Sequence, residues 1–354
     1  MKTSCSTILA ADPRLLLLLW AVLLAACDTE QRPHLFRGAT MGTTYAITLP
    51  RLPEGLDKSR LQREFDERLA RLNREMSTYE GDSTISRFNR SDGTDWVAVS
   101  PEFVEVTRTA LELSRLSGGA YDITVAPLVD LWGFGARDSS DDRLPADDEI
   151  ARALDRIGYQ RLELRTTPAA IRKRRPDLTI DLSSIAKGYG VDLLADYLES
   201  LGLEDFLVEV GGELRAGGHS PRGDRWRIVV EKPVAGERSV QRVIDIGGQG
   251  IATSGDYRNY FELNGVRYSH IIDARTGRPI THSLASVTVL ADTAMQADGW
   301  ATMLLLLGEE AGYELARRQE IAAFFIVSQS PGFTTRETEE FTRLTGGVQV
   351  SEHL

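Results

Sequence analysis

The sequence predicts an α+β fold, and three observations predict it. Segments with helical spacing and segments that alternate or run β-branched both occur along the chain. They mix without the strict strand–helix–strand alternation of a parallel α/β protein. No internal repeat or low-complexity stretch interrupts them. With 354 residues, 42% of them hydrophobic, the chain can bury a large core and allows one to three domains.

The elements follow in order. Lys2 and Arg14 precede an apolar run, Leu15 to Ala26, whose twelve residues are too few to span a bilayer as a helix but suit a signal-peptide core. The run ends "LLAAC", which resembles a bacterial lipobox. Residues 1–26 are therefore expected to be a lipoprotein signal peptide and Cys27 the lipidated residue, with 27–36 as a tether. The resemblance implies retention at the inner membrane, facing the periplasm. A strand is expected near 39–49. Asp57 to Ser77 has helical spacing at Leu61, Phe65, Leu69 and Leu72. A second helix starts with Ser100 as N-cap and Pro101 at N1 and stops at Gly118.

Residues 138–149 read as an acidic surface loop, followed by a helix near 147–156 and strands near 161–165 and 178–182. The basic run "RKRRPD", 172–177, reads as a solvated turn. A helix from Ala186 closes at Gly202. Strands are expected at 206–210, 226–231, 242–246, 259–264, 267–272 and 284–290. A largely buried helix then starts with a Thr293/Gln296 capping box and ends at Gly308. The remainder reads as helix, strand and an irregular end.

Composition excludes several functions. A formal net charge of −11 argues against a nucleic-acid partner and against electrostatic adhesion to anionic lipid. Cys5 falls in the expected signal segment, so the mature chain would keep only Cys27. That leaves no disulfide, no cysteine nucleophile and no cysteine-based metal site.

Three segments share one chemical theme, the binding of a diphosphate with a hard metal. In "DLSSIAKGYGVD", Asp181 to Asp192, a helix begins just after a Ser-Ser turn. Its free N–H groups could hold phosphate, with Lys187 adding a cation, or the small residues could simply cap the helix. In "ADGWAT", Asp298 and Thr302 stand at i and i+4 on one helix face. They make an oxygen pair suited to Mg²⁺, unless the carboxylate only bonds nearby backbone. Glycine and aromatic turns recur at 40–45, 76–89, 117–135, 208–213 and 252–261, where Tyr79 and Tyr121 could stack on a ring system or pack under their own loops. His270, in "YSHIIDARTGRPI", is one of five histidines and stands at the edge of an apolar run. Taken alone it fits a satisfied half-buried histidine or a functional one.

Together these segments resemble the ApbE family, the FAD:protein FMN transferases. The resemblance rests on Thr40-Met41-Gly42-Thr43, Met76-Ser77 with Tyr79, Ser83 through Asn89, Tyr121-Asp122 with "PLVDLWGFG", "DLSSIAKGY", "VEVGGE", "ATSGDYRNYF", "SHIIDARTGRP" and "ADGWAT". They run in order from about residue 36 to at least 345. The resemblance implies an ApbE-like (T-fold-like) arrangement of mixed sheets with packed helices, forming one flavin transferase domain over 37–350.

It also implies the chemistry. FAD would be bound with Mg²⁺ on its diphosphate. A threonine or serine hydroxyl of a client protein would attack the FMN phosphorus, AMP would leave, and FMN would stay on as a phosphoester. Carried over by position, Met41, Tyr79, Ala120, Tyr121, Asp122, Asp181, Lys187 and Ile272 resemble flavin-site residues. Ser184 (through its carbonyl), Asp298 and Thr302 resemble the metal set, and no acidic residue stands at Ala301 as in some members. His270 resembles the residue that takes the acceptor's proton, its ring oriented by Asp273 or a nearby carbonyl. Implied clients are subunits of membrane redox complexes, of the Na⁺-translocating NADH:quinone reductase or Rnf type. Two alternatives use the same residues: a Mg²⁺-dependent FAD pyrophosphatase with water as acceptor, and a flavin-binding lipoprotein without catalysis.

Overall fold

A computed structural model describes residues 32–135, 143–234, 239–257 and 259–346. Cys27, the signal segment and residues 138–142 of the acidic loop lie outside the described residues.

The centre is an eight-stranded sheet. Its order is His34–Thr40, Thr43–Leu49, Phe206–Val210, Glu213–Gly217, Gly250–Gly255, Leu284–Ala291, Ala322–Ser328 and Phe333–Glu337. Every pairing in it is antiparallel, which places the molecule in the predicted α+β class. Helices Lys58–Met76, Ala186–Ser200 and Ala294–Arg318 cover one face. There Phe65, Leu69, Val191 and Leu194 pack on Tyr45, Ile47 and Val208, and Ala301, Leu304 and Leu305 pack on Val287 and Val289. A hairpin, Trp226–Glu231 with Val240–Ile246, and helix Glu339–Thr345 cover the other face, through Trp226, Ile228, Ile244 and Phe341 on Ile251, Leu290, Phe324 and Ile326. Each Val, Leu, Ile or Phe among them contributes about 1.5–3 kcal/mol by leaving water.

The helix starts at Ser100 and Thr293 behave as their sequences predict, and Asp57 caps a third. Asp57, Ser100 and Thr293 accept hydrogen bonds from the N–H groups of Arg60 (2.7 Å), Phe103 (3.1 Å) and Gln296 (3.1 Å).

Several expectations are corrected. The single strand expected near 39–49 is a hairpin. Met41 (φ 49°) and Gly42 (φ 70°) both lie in the left-handed region, the turn geometry that matches strand twist. Its first arm begins at His34, so residues 34–36 belong to the sheet rather than to a tether. Residues 178–182 are not a strand. Their backbone is matched by a side chain instead: Asn89 Nδ2 donates to the Ile180 carbonyl and its Oδ1 accepts from the Ile180 N–H, both at 2.8 Å. Leu178, Ile180 and Leu182 are fully buried, which is why the stretch reads as a strand.

The strand in that region is Ala169–Lys173. The basic run is therefore not wholly a solvated turn, since Lys173 is buried and its Nζ donates to the carbonyls of Phe88 and Leu178, each at 3.1 Å. The strand expected at 267–272 is divided into Val266–Ser269 and Ile272–Asp273. The late helix does not end at Gly308; that residue (φ 79°, ψ −178°) makes a break, and the helix resumes to Arg318.

Candidate active site

One cavity of about 810 Å³ opens beside the N-terminus of helix Ala186–Ser200. Its position depends on a close backbone crossing. A Cβ at Gly188 would lie 2.3 Å from the Ala294 carbonyl oxygen, so only glycine lets this helix meet the start of the long helix Ala294–Arg318. Asp192, one turn further on, accepts from the N–H groups of Ala294 (2.9 Å) and Met295 (2.8 Å) and locks the crossing.

The crossing brings Asp298 to the other helix. Its Oδ2 accepts from the Gly188 N–H at 3.0 Å, which caps a helix start that has no side-chain cap of its own. Of the two sequence readings of Asp298, the bond to backbone is the one this geometry displays. One oxygen satisfies backbone, and the other makes no hydrogen bond to a described residue. Thr302 stands one turn along on the same face, its Oγ1 3.1 Å from Ser254 Oγ. Burial pushes the Asp298 carboxyl upward, opposed by the ammonium of Lys187 and the Gly188 N–H.

Lys187 reaches Glu213, with Nζ 2.6 Å from Oε1. Glu213 is 4% exposed, and its Oε2 is buried without a hydrogen-bond partner. Burial, then the charge of Asp298, raises its pKa, and Lys187 opposes the rise. Among the described residues, two buried carboxyl groups flank the Lys187 ammonium, and one Glu213 oxygen is left without a hydrogen-bond partner. Asp298, Thr302 and the turn at Ser184 offer only hard oxygen donors, which fits a hard divalent cation that also takes phosphate oxygens. No cluster of three or more His, Cys, Asp or Glu groups arranged for a metal occurs among the described residues.

His270 borders the same cavity. Its backbone N–H bonds the Asn259 carbonyl at 3.2 Å, and its Nδ1 lies 2.9 Å from the same oxygen. A carbonyl only accepts, so Nδ1 carries the hydrogen and Nε2 keeps its lone pair. Burial lowers the imidazole pKa below its ordinary 6.5, opposed by the Asn259 bond and by Asp256. The ring is neutral, and basic at Nε2, near neutral pH. The orienting group is the Asn259 carbonyl rather than Asp273, which instead holds Arg275 at 2.6 Å.

The other predicted residues divide. Tyr79, Ala120, Tyr121, Asp122, Asp181, Ser184, Lys187 and Ile272 all line the cavity. Tyr79, 77% exposed, offers an open aromatic face at the rim. Tyr121 does not: it is buried, and its hydroxyl lies 2.7 Å from Ser184 Oγ, so it braces the Ser-Ser turn. Burial raises its pKa and keeps it neutral. The Asp122 carboxylate is occupied by the N–H groups of Thr124 (2.8 Å) and Tyr159 (2.9 Å) and by the Thr124 hydroxyl (2.7 Å). Asp181 accepts from the Ser183 N–H at 2.7 Å and shapes the turn before the helix. Met41 is not on the cavity wall; it packs beside Gly190 between two core clusters. Glu213 is the residue that sequence reasoning passed over. The signal was there, an acidic residue directly after the Gly-Gly turn of "VEVGGE", but nothing local predicts its burial.

The cavity joins a helix N-terminus, a hard-oxygen cluster and an imidazole whose Nε2 has no hydrogen-bond partner among the described residues. That combination defines a class of enzymes that bind a phosphate-bearing substrate and move a group from it. Comparison with known proteins narrows the class. The ApbE family model matches residues 41–325. The chain is 46% identical over 322 residues to a FAD:protein FMN transferase of Vibrio cholerae, covering 90% of this chain and 95% of that one. It is 38% identical over 343 residues to the protein of that name from Escherichia coli, covering 93% and 96%. The solved flavin transferase ApbE from Vibrio cholerae superposes with a TM-score of 0.82 at 44% identity, over 88% of this chain and 99% of that one. The apo flavinyl transferase ApbE from Pseudomonas stutzeri gives 0.82 at 40% identity, over 90% and 98%. The chain belongs to the ApbE family.

Proposed function

We propose that the protein transfers FMN from FAD to a threonine or serine hydroxyl of a client protein and releases AMP. The observation that carries this reading is His270, whose Nδ1 is held by the Asn259 carbonyl and whose free Nε2 borders the cavity that also holds Asp298 and Thr302. The FAD diphosphate would lie at the start of helix Ala186–Ser200, against Lys187 and the helix dipole. Tyr79 would cover the flavin from the rim. Asp298, Thr302 and the Ser184 carbonyl would hold Mg²⁺, which when bound neutralises charge on the phosphates.

In the transfer step the client hydroxyl gives its proton to His270 Nε2. Its oxygen forms a bond to the FMN phosphorus, the bond from that phosphorus to the AMP phosphate breaks, and AMP leaves. Little covalent chemistry falls to the protein, so positioning and charge stabilisation supply most of the rate. Clients would be extracytoplasmic subunits of membrane redox complexes of the Na⁺-translocating NADH:quinone reductase or Rnf type. Lipidation of Cys27 would hold the enzyme on the periplasmic side of the inner membrane. No helix among the described residues is long and apolar enough to cross a membrane.

The test is product analysis with FAD, Mg²⁺ and a client domain. Covalent FMN on the client together with free AMP is the expected result. Free FMN and AMP with unmodified client would make the protein a hydrolase, and uncleaved FAD would reduce it to a binding protein.

A further inference from the structure

His270 and the carbonyl that orients it stand at the two open ends of one small hairpin. Tyr260–Leu263 pairs with Val266–Ser269; Asn259 precedes the first arm and His270 follows the second. No other strand among the described residues pairs with this hairpin. Two strands alone are marginally stable, so packing must seat them. That packing is aromatic. Phe261 and Tyr268 are direct cross-strand partners, their rings stacked 5.1 Å apart. Tyr268 stacks on Trp132 at 5.9 Å, and Phe261 meets Phe134 at 5.5 Å. Trp132 and Phe134 both come from the segment "LWGFG".

Trp132 anchors the stack. It is buried, and its Nε1 donates at 2.8 Å to the carbonyl of Gly277, in the turn that follows His270. One indole thus holds the chain on both sides of the imidazole. The other end of the stack reaches the imidazole itself: Phe134 meets the His270 ring edge-on, with centroids 6.2 Å apart and planes at 67°. Phe134 lines the cavity, whereas Trp132, Phe261 and Tyr268 do not, so these three bear on the reaction through the residues they hold. We propose that the stack Trp132–Tyr268–Phe261–Phe134 is a positioning device for His270. It seats the hairpin so that the Asn259 carbonyl meets Nδ1, and Phe134 sets the plane of the ring so that Nε2 borders the cavity. The proposal rests on the transferase reading for what Nε2 does there.

The test uses the full mature chain and the variant Phe261→Leu, which removes a ring that lies off the cavity wall, with Phe261→Tyr to restore one. Nitrogen NMR of the imidazoles, with His270 assigned by His270→Gln, reports which ring nitrogen carries the hydrogen. Transfer from FAD with Mg²⁺ to the soluble domain of an Na⁺-translocating NADH:quinone reductase subunit that carries the acceptor threonine gives kcat, and fluorescence titration gives FAD binding. The wild type should show one His270 tautomer, with the hydrogen on Nδ1. In Phe261→Leu the tautomers should mix and kcat should fall about tenfold or more while FAD binding holds. Phe261→Tyr should restore both. Phe134→Leu, which leaves the cross-strand pair intact, should shift the tautomer in the same way, and an unmoved tautomer there would remove Phe134 from the device. An unchanged tautomer and kcat in Phe261→Leu would overturn the proposal, as would FAD binding lost in step with kcat, the mark of a merely structural role. A mixed tautomer in Phe261→Leu, with client that even the wild-type enzyme leaves unlabelled, would support the seating of His270 and sink the transferase reading.

Discussion

On the proposed reading His270 and Asp298 carry the chemistry, and each is defined by what its second atom does. His270→Ala removes the base and only one edge contact, with the Phe134 ring, so FAD binding should persist while the transfer rate falls roughly 10²- to 10⁴-fold. Flavin fluorescence titration and initial rates separate the two quantities. The pH dependence follows from the direction of the imidazole shift. The reactive form is neutral and the pKa lies below the ordinary 6.5, so kcat/KM should rise with pH on the acid side with its midpoint below 6.5. A midpoint above 6.5 would identify a different base. Asp298→Ala should abolish the response to added Mg²⁺, and chelation should stop the wild-type enzyme. Both are read by titrating the metal against AMP release.

The crossing of two helix starts decides where those residues stand. Asp192→Ala would leave the buried N–H groups of Ala294 and Met295 without an acceptor and should cost about 2–4 kcal/mol in urea unfolding, with Asp192→Asn recovering part of it. Gly188→Ala would drive a methyl against the Ala294 carbonyl and should cost about 1–3 kcal/mol. It should also weaken catalysis more than that loss predicts, because it displaces Asp298. These elements were legible where a local rule governs them: capped helices, a same-face Asp298 and Thr302, strands with alternating burial. They were not legible where a distant group completes them. Asn89 satisfies an extended segment ninety-one residues away in place of a strand. Met41, with no turn signature in its side chain, takes a left-handed conformation because a hairpin forms around it. Strands Glu213–Gly217 and Gly250–Gly255 carry too few β-branched or alternating residues to announce themselves, and both follow glycine-rich turns.

At the scale of the whole molecule, one cavity gathers residues from 78 to 306 of the chain. Ordered motifs with no local logic of their own therefore converge on one place. The family resemblance put nearly all of the site residues on the wall. It did not reveal that Tyr121 and Asp122 face inward to brace the loops, nor that Glu213 pairs with Lys187 beside the start of helix Ala186–Ser200. Those roles depend on burial, which only the folded chain displays.

The central claim is that His270 directs FMN onto a protein hydroxyl, and one measurement reaches it directly. Intact-mass analysis of a client domain incubated with FAD and Mg²⁺ should show the gain of one FMN phosphoester with the wild-type enzyme. With a His270→Ala enzyme that still binds FAD, the client mass should stay unchanged. Equal labelling by both enzymes would contradict the account.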